Sequence, residues 1–210
     1  MSIVQTIGKL IVRECSGKYA ISSGEDVHLS DFTYDYVKRL GTSLLIVGKL
    51  SNYGLFNQKG ETILPLKYSP DFEMYACGII KFCKKDKDVK LYGLCDITGN
   101  ILAEPKNTFI RENSPGHFKL FFKERTRQSS RYFAIEDDKE FVTGNVYTGV
   151  VQGIKEYGIF VKVLGHGFGL VHIKEIRRKG KSIYDFTKGD IIDVEVIKIS
   201  NDGKVGFALL

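Results

Sequence analysis

The stretch GNVYTGVVQGIKEYGIFV, residues 144–161, begins the most informative part of this 210-residue chain. Glycines recur through it among β-branched and aromatic residues, which is typical of short strands that bend or turn sharply. The chain continues with GLVHI at 169–173 and with FTKGDIIDVEV at 186–196. The whole sequence has 22 Gly and only 4 Pro, a balance that suits many short strands joined by tight turns. An all-β protein is therefore predicted.

These three segments together resemble the S1 RNA-binding domain along its whole usual length. That family folds as a five-stranded barrel of the OB class and commonly grips single-stranded nucleic acid on a face rich in aromatics and cations. The resemblance implies an OB-fold barrel at residues 143–210, preceded by a separate domain at 1–142. Residues alternate between core and surface along each barrel strand, so aliphatic side chains are expected to line the interior. These are Val146, Val150 or Val151, Ile159, Val161, Val171, Ile192, Val194 and Val196.

The resemblance also implies three ring side chains on an RNA-binding face. Tyr157 and Phe160 flank Gly158, which lets the strand bend, and both match aromatics that contact RNA in the family. His172 matches the family's surface histidine after Gly-Leu-Val. Stacking of a base on such a ring contributes roughly 1–3 kcal/mol and tolerates sequence variation, because every base has a π face. The alternative for each ring is an ordinary structural place in the barrel.

Cations near these rings are expected to hold the phosphate backbone. Contacts of this kind are independent of RNA sequence and weaken with salt. The run RRKGK at 177–181 falls in the predicted long loop between the third and fourth strands, for which a solvated loop is the alternative. The candidate RNA-binding cations are Lys155, Lys162, Lys174, Arg177, Arg178 and Lys204.

The sequence departs from the family at several positions. Lys174 stands where the family usually has Ser, and Ser200 stands near a usual Asp. Lys204 keeps a positive charge where Arg is usual, but it lacks the planar fork of donors that suits Arg to bidentate or stacked contacts. Phe207 and Ala208 replace the usual Leu-Ser. General RNA affinity is therefore predicted, without a preference for a particular sequence.

The first two thirds of the chain repeat a second pattern. YGLFNQKGETILPLKY at 53–68 is the best copy, and YGLCDITGNIL at 92–102 is the next. YAISSG at 19–24 precedes both, and FAIEDDKE at 133–140 is a candidate degraded fourth copy. Each copy reads as strand, polar Gly-containing turn and strand. Each therefore predicts a β-hairpin that must stack on its neighbours to bury both faces.

These copies resemble WG (also called KWG) repeats, with Tyr in place of the signature Trp, which is absent from the whole chain. Tyr34 stands in the earliest copy where Tyr68 stands in the best one. The resemblance implies an all-β repeat platform, found mostly in bacterial proteins and usually without catalysis. It names no ligand.

Several kinds of site are not indicated by the sequence. Cys15, Cys77, Cys83 and Cys95 form no Cys-x-x-Cys pair, and no His lies at zinc-finger spacing, so neither a metal nor another cofactor is predicted. Buried reduced thiols are expected, with a Cys77–Cys83 disulfide as the alternative. No nucleophile, phosphate-loop or metalloprotease motif is present, and so no enzyme is predicted.

The sequence also bears on location. The longest apolar runs, such as residues 44–47, are too short to span a membrane. The N-terminus lacks a basic segment followed by a long apolar stretch, so no secretory signal is predicted. A cytoplasmic location without membrane contact is expected.

Charge is compatible with a polyanionic partner, since the net charge is +6 and the pI is about 9.0. Residues 144–210 have 10 Lys and Arg against 7 Asp and Glu, and residues 1–143 have 21 against 18, so any basic face must arise from three-dimensional arrangement. We predict a non-catalytic RNA-binding protein that grips single-stranded RNA on its barrel, with protein or further RNA contacts through the repeats. The alternative is a protein-interaction adaptor, in which the repeats are the functional surface and the barrel is a docking domain.

Overall fold

The structure, a computed structural model, describes residues 2–23, 31–124 and 127–210. Strands dominate these residues, so the predicted all-β class is confirmed. One α-helix, α1 (Ile173–Arg178), and a 3-10 turn at Ile183–Asp185 lie near the C-terminus. The strands are β1 (Ser2–Ile7), β2 (Leu10–Cys15), β3 (Lys18–Ser22), β4 (Tyr36–Leu40), β5 (Leu44–Lys49), β6 (Asn52–Asn57), β7 (Thr62–Tyr68), β8 (Glu73–Met74), β9 (Ile79–Asp86), β10 (Val89–Asp96), β11 (Ile101–Ser114), β12 (His117–Glu124), β13 (Arg127–Ala134), β14 (Val146–Lys155), β15 (Gly158–Val163), β16 (Gly167–His172), β17 (Ile191–Ile199) and β18 (Val205–Leu209).

The strands form three open sheets and one closed barrel in the described part of the chain. The open sheets have the orders β1-β2-β3, β4-β5-β6-β7 and β13-β12-β11-β10-β9-β8. The barrel has the order β14-β15-β16-β18-β17, with β16 and β18 parallel. Five strands closed in this way are the OB-class barrel that the sequence predicts.

The chain divides into two compact units. One comprises Met1–Met74, Ile80–Ile110 and Phe121–Ser130. The other comprises Tyr75–Ile79, Arg111–Leu120 and Arg131–Leu210, and it contains the barrel.

The hairpins β6–β7 and β10–β11 pair their strands in the same register, with Tyr92 of the second in the place of Tyr53 of the first. A Cβ on Gly54 would lie 2.4 Å from the carbonyl oxygen of Leu64, and one on Gly93 would lie 2.7 Å from that of Ala103. Only glycine permits so close an approach of the neighbouring strand, which explains why Gly follows Tyr in both copies. The pairs are Tyr53↔Tyr68, Leu55↔Leu64 and Phe56↔Thr62 in the first hairpin, and Tyr92↔Asn107, Leu94↔Ala103 and Cys95↔Ile101 in the second.

The turns of these two hairpins are held in the same way. Asn57 Oδ1 accepts hydrogen bonds from the backbone N–H groups two and four residues further along, at 2.9 and 3.0 Å. Asp96 Oδ1 accepts the equivalent pair at 2.8 and 3.0 Å. A short polar side chain that binds its own turn in this way fixes the turn without tertiary contacts.

The other two predicted copies are less complete. An isolated bridge joins Tyr19 to Tyr34, which is the equivalent of the outermost pair in the best copy. Gly24 of this copy lies outside the described residues. Phe133 lies in β13, an edge strand, and residues 135–145 contain no strand, so the candidate fourth copy has no second strand there. The assignment to WG repeats stays a prediction.

The first unit has its own apolar core. Side chains of β1, β2 and β5 form it, and the rings of Tyr34 and Phe56 meet edge to face beside it, with centroids 6.1 Å apart. The fully buried members of this core include Val12, Leu45 and Val47.

All four cysteines are free thiols, and burial raises the pKa of Cys95 to about 12.

The barrel core largely follows the predicted lining. Ile159, Val161, Val171, Val194 and Val196 are fully buried in this core, and so is Val151, while Ile192 packs against it. Val150 is also buried, but it pairs with the outward-facing Lys162 and lies outside this core cluster.

The prediction for Val146 is wrong, since 56% of this residue is exposed. Val146 pairs with Glu195, and paired residues project to the same side of a sheet. Glu195 lies between two inward-facing valines, so it projects outward, and Val146 projects outward with it.

Packing around the barrel begins before its first strand. The Phe141 ring meets those of Tyr147, His166 and Phe207 with centroids 5.4, 5.3 and 5.4 Å away. The N–H of Gly144 donates to the carbonyl of Val196 at 2.8 Å, which extends the barrel ladder toward the N-terminus. The division into domains at 1–142 and 143–210 stays a proposal, and Phe141 is the residue to retain in any isolated barrel.

Candidate nucleic-acid interface

Strands β15 and β16 present one outward face of the barrel. Their cross-strand pairs are Lys162 with Phe168, Phe160 with Leu170, and Gly158 with His172. The residues between these positions are buried in the core, so alternation along each strand turns the paired residues toward the exterior. The face is therefore a ladder of rings and one cation, built by two antiparallel strands.

A groove of about 620 Å³ runs along this face to the neighbouring strand ends. Phe160, Phe168 and Leu170 give it apolar walls, and Lys198 and Lys204 bring positive charge to it from β17 and the turn before β18. We call this the barrel groove. Its other lining residues are Gly169, His172, Ser200, Asp202, Gly203, Val205 and Gly206.

The aromatic side chains are accessible to a ligand. The rings of Tyr157 and Phe160 meet edge to face, with centroids 6.1 Å apart and planes at 87°. Tyr157 is 50% exposed and Phe168 is 55% exposed, whereas Phe160 is half-buried. Partly exposed aromatic rings on one face of a barrel are suited to stacking on bases.

His172 is exposed at the end of the ladder. Its Nδ1 accepts a hydrogen bond from the N–H of Lys174 at 3.2 Å, so in the neutral ring the proton lies on Nε2, which then donates. The partner across the strands is Gly158, and a Cβ there would lie 2.3 Å from the carbonyl oxygen of Val171. Gly158 also has a φ of +153°, which side chains disfavour. The absence of a side chain opposite leaves the His172 ring uncovered.

An acidic residue outside the barrel strands reaches this face. Lys162 forms an ion pair with Asp137, and its ammonium also lies 4.7 Å from the centre of the Phe168 ring. The N–H of Lys139 donates to the carbonyl of Gly165 at 3.0 Å, which holds the segment in place. The Lys162 side chain is only 14% exposed as a result. This predicted RNA-binding cation is therefore already partly neutralised.

A second ion pair lies at the other side of the groove. Lys204 donates to Asp202, and so does the hydroxyl of Ser200. These hydrogen bonds, the one from Lys204 foremost, lower the pKa of Asp202 to about 2. The S1 family usually has an Asp near position 200, where this chain has Ser. Asp202 supplies a carboxylate two residues later, and this carboxylate is ionised throughout the neutral range. Lys204 remains 85% exposed despite the pair.

The other predicted cations lie apart from the groove. Lys155 is exposed at the end of β14, and Lys174 is exposed two residues after His172. Arg177 and Arg178 were expected in a loop, but they form the last turn of α1, so that expectation is wrong. No apolar helical repeat is visible in the sequence there, because a six-residue helix is too short to show one. Arg178 binds both oxygens of Glu175, at 3.0 and 3.1 Å.

The groove residues that were not predicted from the sequence include Phe168, Leu170, Lys198 and Asp202. Phe168 stands among the glycines at 165, 167 and 169, which favour a turn, whereas β16 already begins at Gly167. The available signal was spacing, because Phe168, Leu170 and His172 alternate at a period of two, as outward residues of one strand do.

Two other kinds of feature are absent from the described ranges. No group of three or more His, Cys, Asp or Glu residues is placed there to hold a metal ion. No helix within those ranges has the length and apolarity needed to cross a membrane.

A closed five-stranded barrel of OB topology with an aromatic and basic groove defines a nucleic-acid-binding class of domain. Residues 140–209 match the family model described as the S1 RNA binding domain, so the C-terminal part of this chain is an S1 domain. The N-terminal repeats lie outside that match.

Curated relatives share this region. The chain is 32% identical over 110 residues to a polyribonucleotide nucleotidyltransferase of Dehalococcoides mccartyi strain CBDB1, which covers 51% of this chain and 15% of the relative. It is 41% identical over 68 residues to the enzyme of the same name from Desulfotalea psychrophila, with 31% and 10% covered. The matches thus span a small part of each relative. The bacterial sources are consistent with the predicted bacterial origin.

Solved structures also align with part of the chain. MJ1198 from Methanocaldococcus jannaschii, titled an uncharacterized protein, aligns with a TM-score of 0.31 and 23% identity, covering 34% of this chain and 96% of that one. GSP13 from Bacillus subtilis aligns with a TM-score of 0.30 and 36% identity, covering 33% and 55%.

Proposed function

We propose that this protein is a non-catalytic RNA-binding protein that holds single-stranded RNA in the barrel groove. The observation that supports this most is the ladder formed by Phe168, Phe160 and His172 on one outward face, with Lys198 and Lys204 beside it. Alternate residues of a strand are roughly 7 Å apart, so successive bases have separate contacts. The relatives described above are named polyribonucleotide nucleotidyltransferases, but the match covers only 15% or less of each of them. The proposal includes no catalysis.

Each group has a distinct part in the proposed complex. Phe160 and Phe168 stack on bases, with Tyr157 supporting Phe160 from its edge. His172 donates from Nε2 to a base or phosphate oxygen. Lys198 and Lys204 attract phosphates, which gives affinity without sequence preference.

The direct test is fluorescence anisotropy of a labelled, mixed-sequence single-stranded RNA of about 15 nucleotides over a salt series. For two to three phosphates contacted, log Kd should rise with log salt at a slope of about 2, since each contact contributes about 0.7. Lys198→Ala combined with Lys204→Ala should reduce that slope by about 1.4. Duplex RNA of the same sequence, whose bases cannot reach the rings, should bind more weakly.

Two results would contradict the proposal. Absence of binding at low salt would remove RNA as the partner and favour the adaptor hypothesis, in which the repeats contact protein. Binding with an unaltered salt slope in the double lysine variant would place the RNA elsewhere on the chain.

Asp137→Asn should strengthen RNA binding by roughly two- to fivefold at low salt. The substitution removes the carboxylate that binds Lys162, so the ammonium beside Phe168 becomes available to a phosphate. The size follows from the small net contribution of an accessible ion pair. Asp138→Asn is the matched control, because it changes the net charge equally one residue further on. Equal gains in affinity from both variants would show that the effect comes from net charge alone.

A further inference from the structure

A second cavity, of about 330 Å³, lies on the same barrel where α1 leads into the 3-10 turn at Ile183–Asp185. We call it the α1 cavity. Arg177, Lys181 and Tyr184 lie at it together with Glu156 and Ile173. Its volume is at the lower end of the range for small-molecule sites, so it suits one small unit rather than an oligomer.

The side chains around the α1 cavity are accessible and chemically suited to a nucleotide. Among the described residues, no carboxylate forms an ion pair with Arg177 or Lys181, whereas Arg178 is occupied by Glu175. Tyr184 is 88% exposed, the largest value among the exposed large hydrophobic side chains of the described ranges. A ring for a base and cations for a phosphate are the combination that binds single strands.

The position of Lys181 is supported from within the barrel. Its ammonium lies 5.5 Å from the centre of the ring of Phe186, which is buried in the barrel core. A ring face attracts the ammonium without cancelling its charge. Lys181 is thus held near the α1 cavity while remaining a cation for a ligand.

The α1 cavity adjoins one end of the aromatic ladder. The N–H of Ile173, which lines the cavity, donates to the carbonyl of Tyr157 at 2.9 Å, and Glu156 immediately precedes Tyr157. His172, the last outward residue of β16, immediately precedes Ile173. A strand that leaves the barrel groove past His172 and Tyr157 therefore reaches the α1 cavity next.

We propose that the α1 cavity binds one nucleotide of the same RNA strand whose neighbouring nucleotides occupy the barrel groove. This rests on the proposed function. Tyr184 stacks on the base, and Arg177 and Lys181 bind the phosphate. Glu156 repels a bare anion but accepts hydrogen bonds from the amino group of a base. The ligand is therefore a nucleotide unit rather than inorganic phosphate.

The test compares single-stranded RNAs of about 5 and about 12 nucleotides, lengths at the lower and upper parts of the range for OB folds. The shorter RNA fits the groove alone, and the longer one also reaches the α1 cavity. Tyr184→Ala should weaken binding of the longer RNA by roughly 5- to 20-fold and change binding of the shorter by less than about twofold. Circular dichroism should show an unchanged fold, because the ring is almost fully exposed.

Lys181→Ala and Lys179→Ala form a matched pair for the phosphate contact. Both remove one lysine from the same run, but only Lys181 lines the α1 cavity. Lys181→Ala should weaken the longer RNA by at least about threefold more than Lys179→Ala does. Equal effects of the two variants would overturn the inference, because they would show that both lysines act only through general electrostatic attraction.

The remaining outcomes separate this inference from the proposed function. If the wild-type protein fails to bind the shorter RNA, the barrel groove is wrong and the proposed function fails with it. If Tyr184→Ala weakens both lengths equally, or neither, only the α1 cavity is overturned. Free mononucleotides that abolish the extra affinity of the longer RNA at micromolar concentration would also overturn it, because the cavity would then serve a free nucleotide.

Discussion

Replacing Phe160 and Phe168 together by Ala should weaken binding of single-stranded RNA by about 100-fold. The two rings belong to neighbouring outward-facing cross-strand pairs of β15 and β16. Each stacked base contributes roughly 1–3 kcal/mol to the binding free energy. Phe168 is 55% exposed, so its loss leaves the barrel core unchanged, and Phe160 is only half-buried. Anisotropy titrations of the single and double variants measure the loss, with thermal unfolding as the check on folding.

Phe109→Ala is the matched control for this prediction. Phe109 is 52% exposed, close to the value for Phe168, and it lies on β11, which is not a strand of the barrel. It should leave RNA binding unchanged within about twofold. A double Phe160/Phe168 variant that binds as the wild type would contradict the groove as the site. An equal loss in Phe109→Ala would show that exposed aromatics act without regard to position.

The barrel was predictable because its decisive signals are local. Ile159, Val161 and Val171 alternate with outward residues inside single strands, and alternation is visible in the sequence itself. Val146 and Val151 are five residues apart, so alternation places them on opposite faces of β14. Which of the two faces the core is settled by strand pairing, since Val146 pairs with the outward-facing Glu195, far along the chain.

The candidate site likewise contains some residues that the sequence predicts and others that it does not. Phe160, His172 and Lys204 followed from the family motif and line the groove, although their contact with RNA stays a proposal. Lys198 enters the groove because β18 pairs in parallel with β16, which brings the β17–β18 hairpin next to Phe168 and Leu170. Asp137 reaches Lys162 across 25 residues of chain, a contact that no spacing in the sequence indicates.

The repeats were predictable from their internal similarity. The identical register of the two hairpins follows from Tyr-Gly at the start of each copy and from a turn that binds itself through Asn57 or Asp96. Both features lie within a single hairpin and are therefore local in the sequence. The arrangement of successive copies depends on side-chain packing between hairpins, so the sequence pattern alone did not specify the sheets into which they assemble.

Gly169→Ala should destabilise the barrel by about 3 kcal/mol, which is at the upper end of the usual effect of overpacking a core. A Cβ at this position would lie 2.2 Å from Cε2 of Phe207, a residue with 0% exposure at the centre of the barrel. The ring is enclosed and cannot turn away without displacing its neighbours. Urea unfolding followed by far-UV circular dichroism measures the loss.

The matched control is Gly206→Ala on β18. A Cβ there meets Lys198 at 3.7 Å, an ordinary contact, so the substitution should change stability by less than about 0.5 kcal/mol or stabilise slightly by restricting the unfolded chain. Equal destabilisation by Gly206→Ala and Gly169→Ala would mean that strand glycines matter for backbone freedom and not for the Phe207 ring.

The origin of the clash is itself testable, because Phe207 occupies the position at which the S1 family usually has Leu. A leucine is shorter, so Phe207→Leu should leave room for the methyl group of Gly169→Ala. Alone, Phe207→Leu should destabilise by about 1 kcal/mol through the space it leaves. Combined with Gly169→Ala, it should cost at least about 1 kcal/mol less than the two single effects added together, since the residues touch. Additive effects would show that Gly169 is required for a reason other than the size of residue 207.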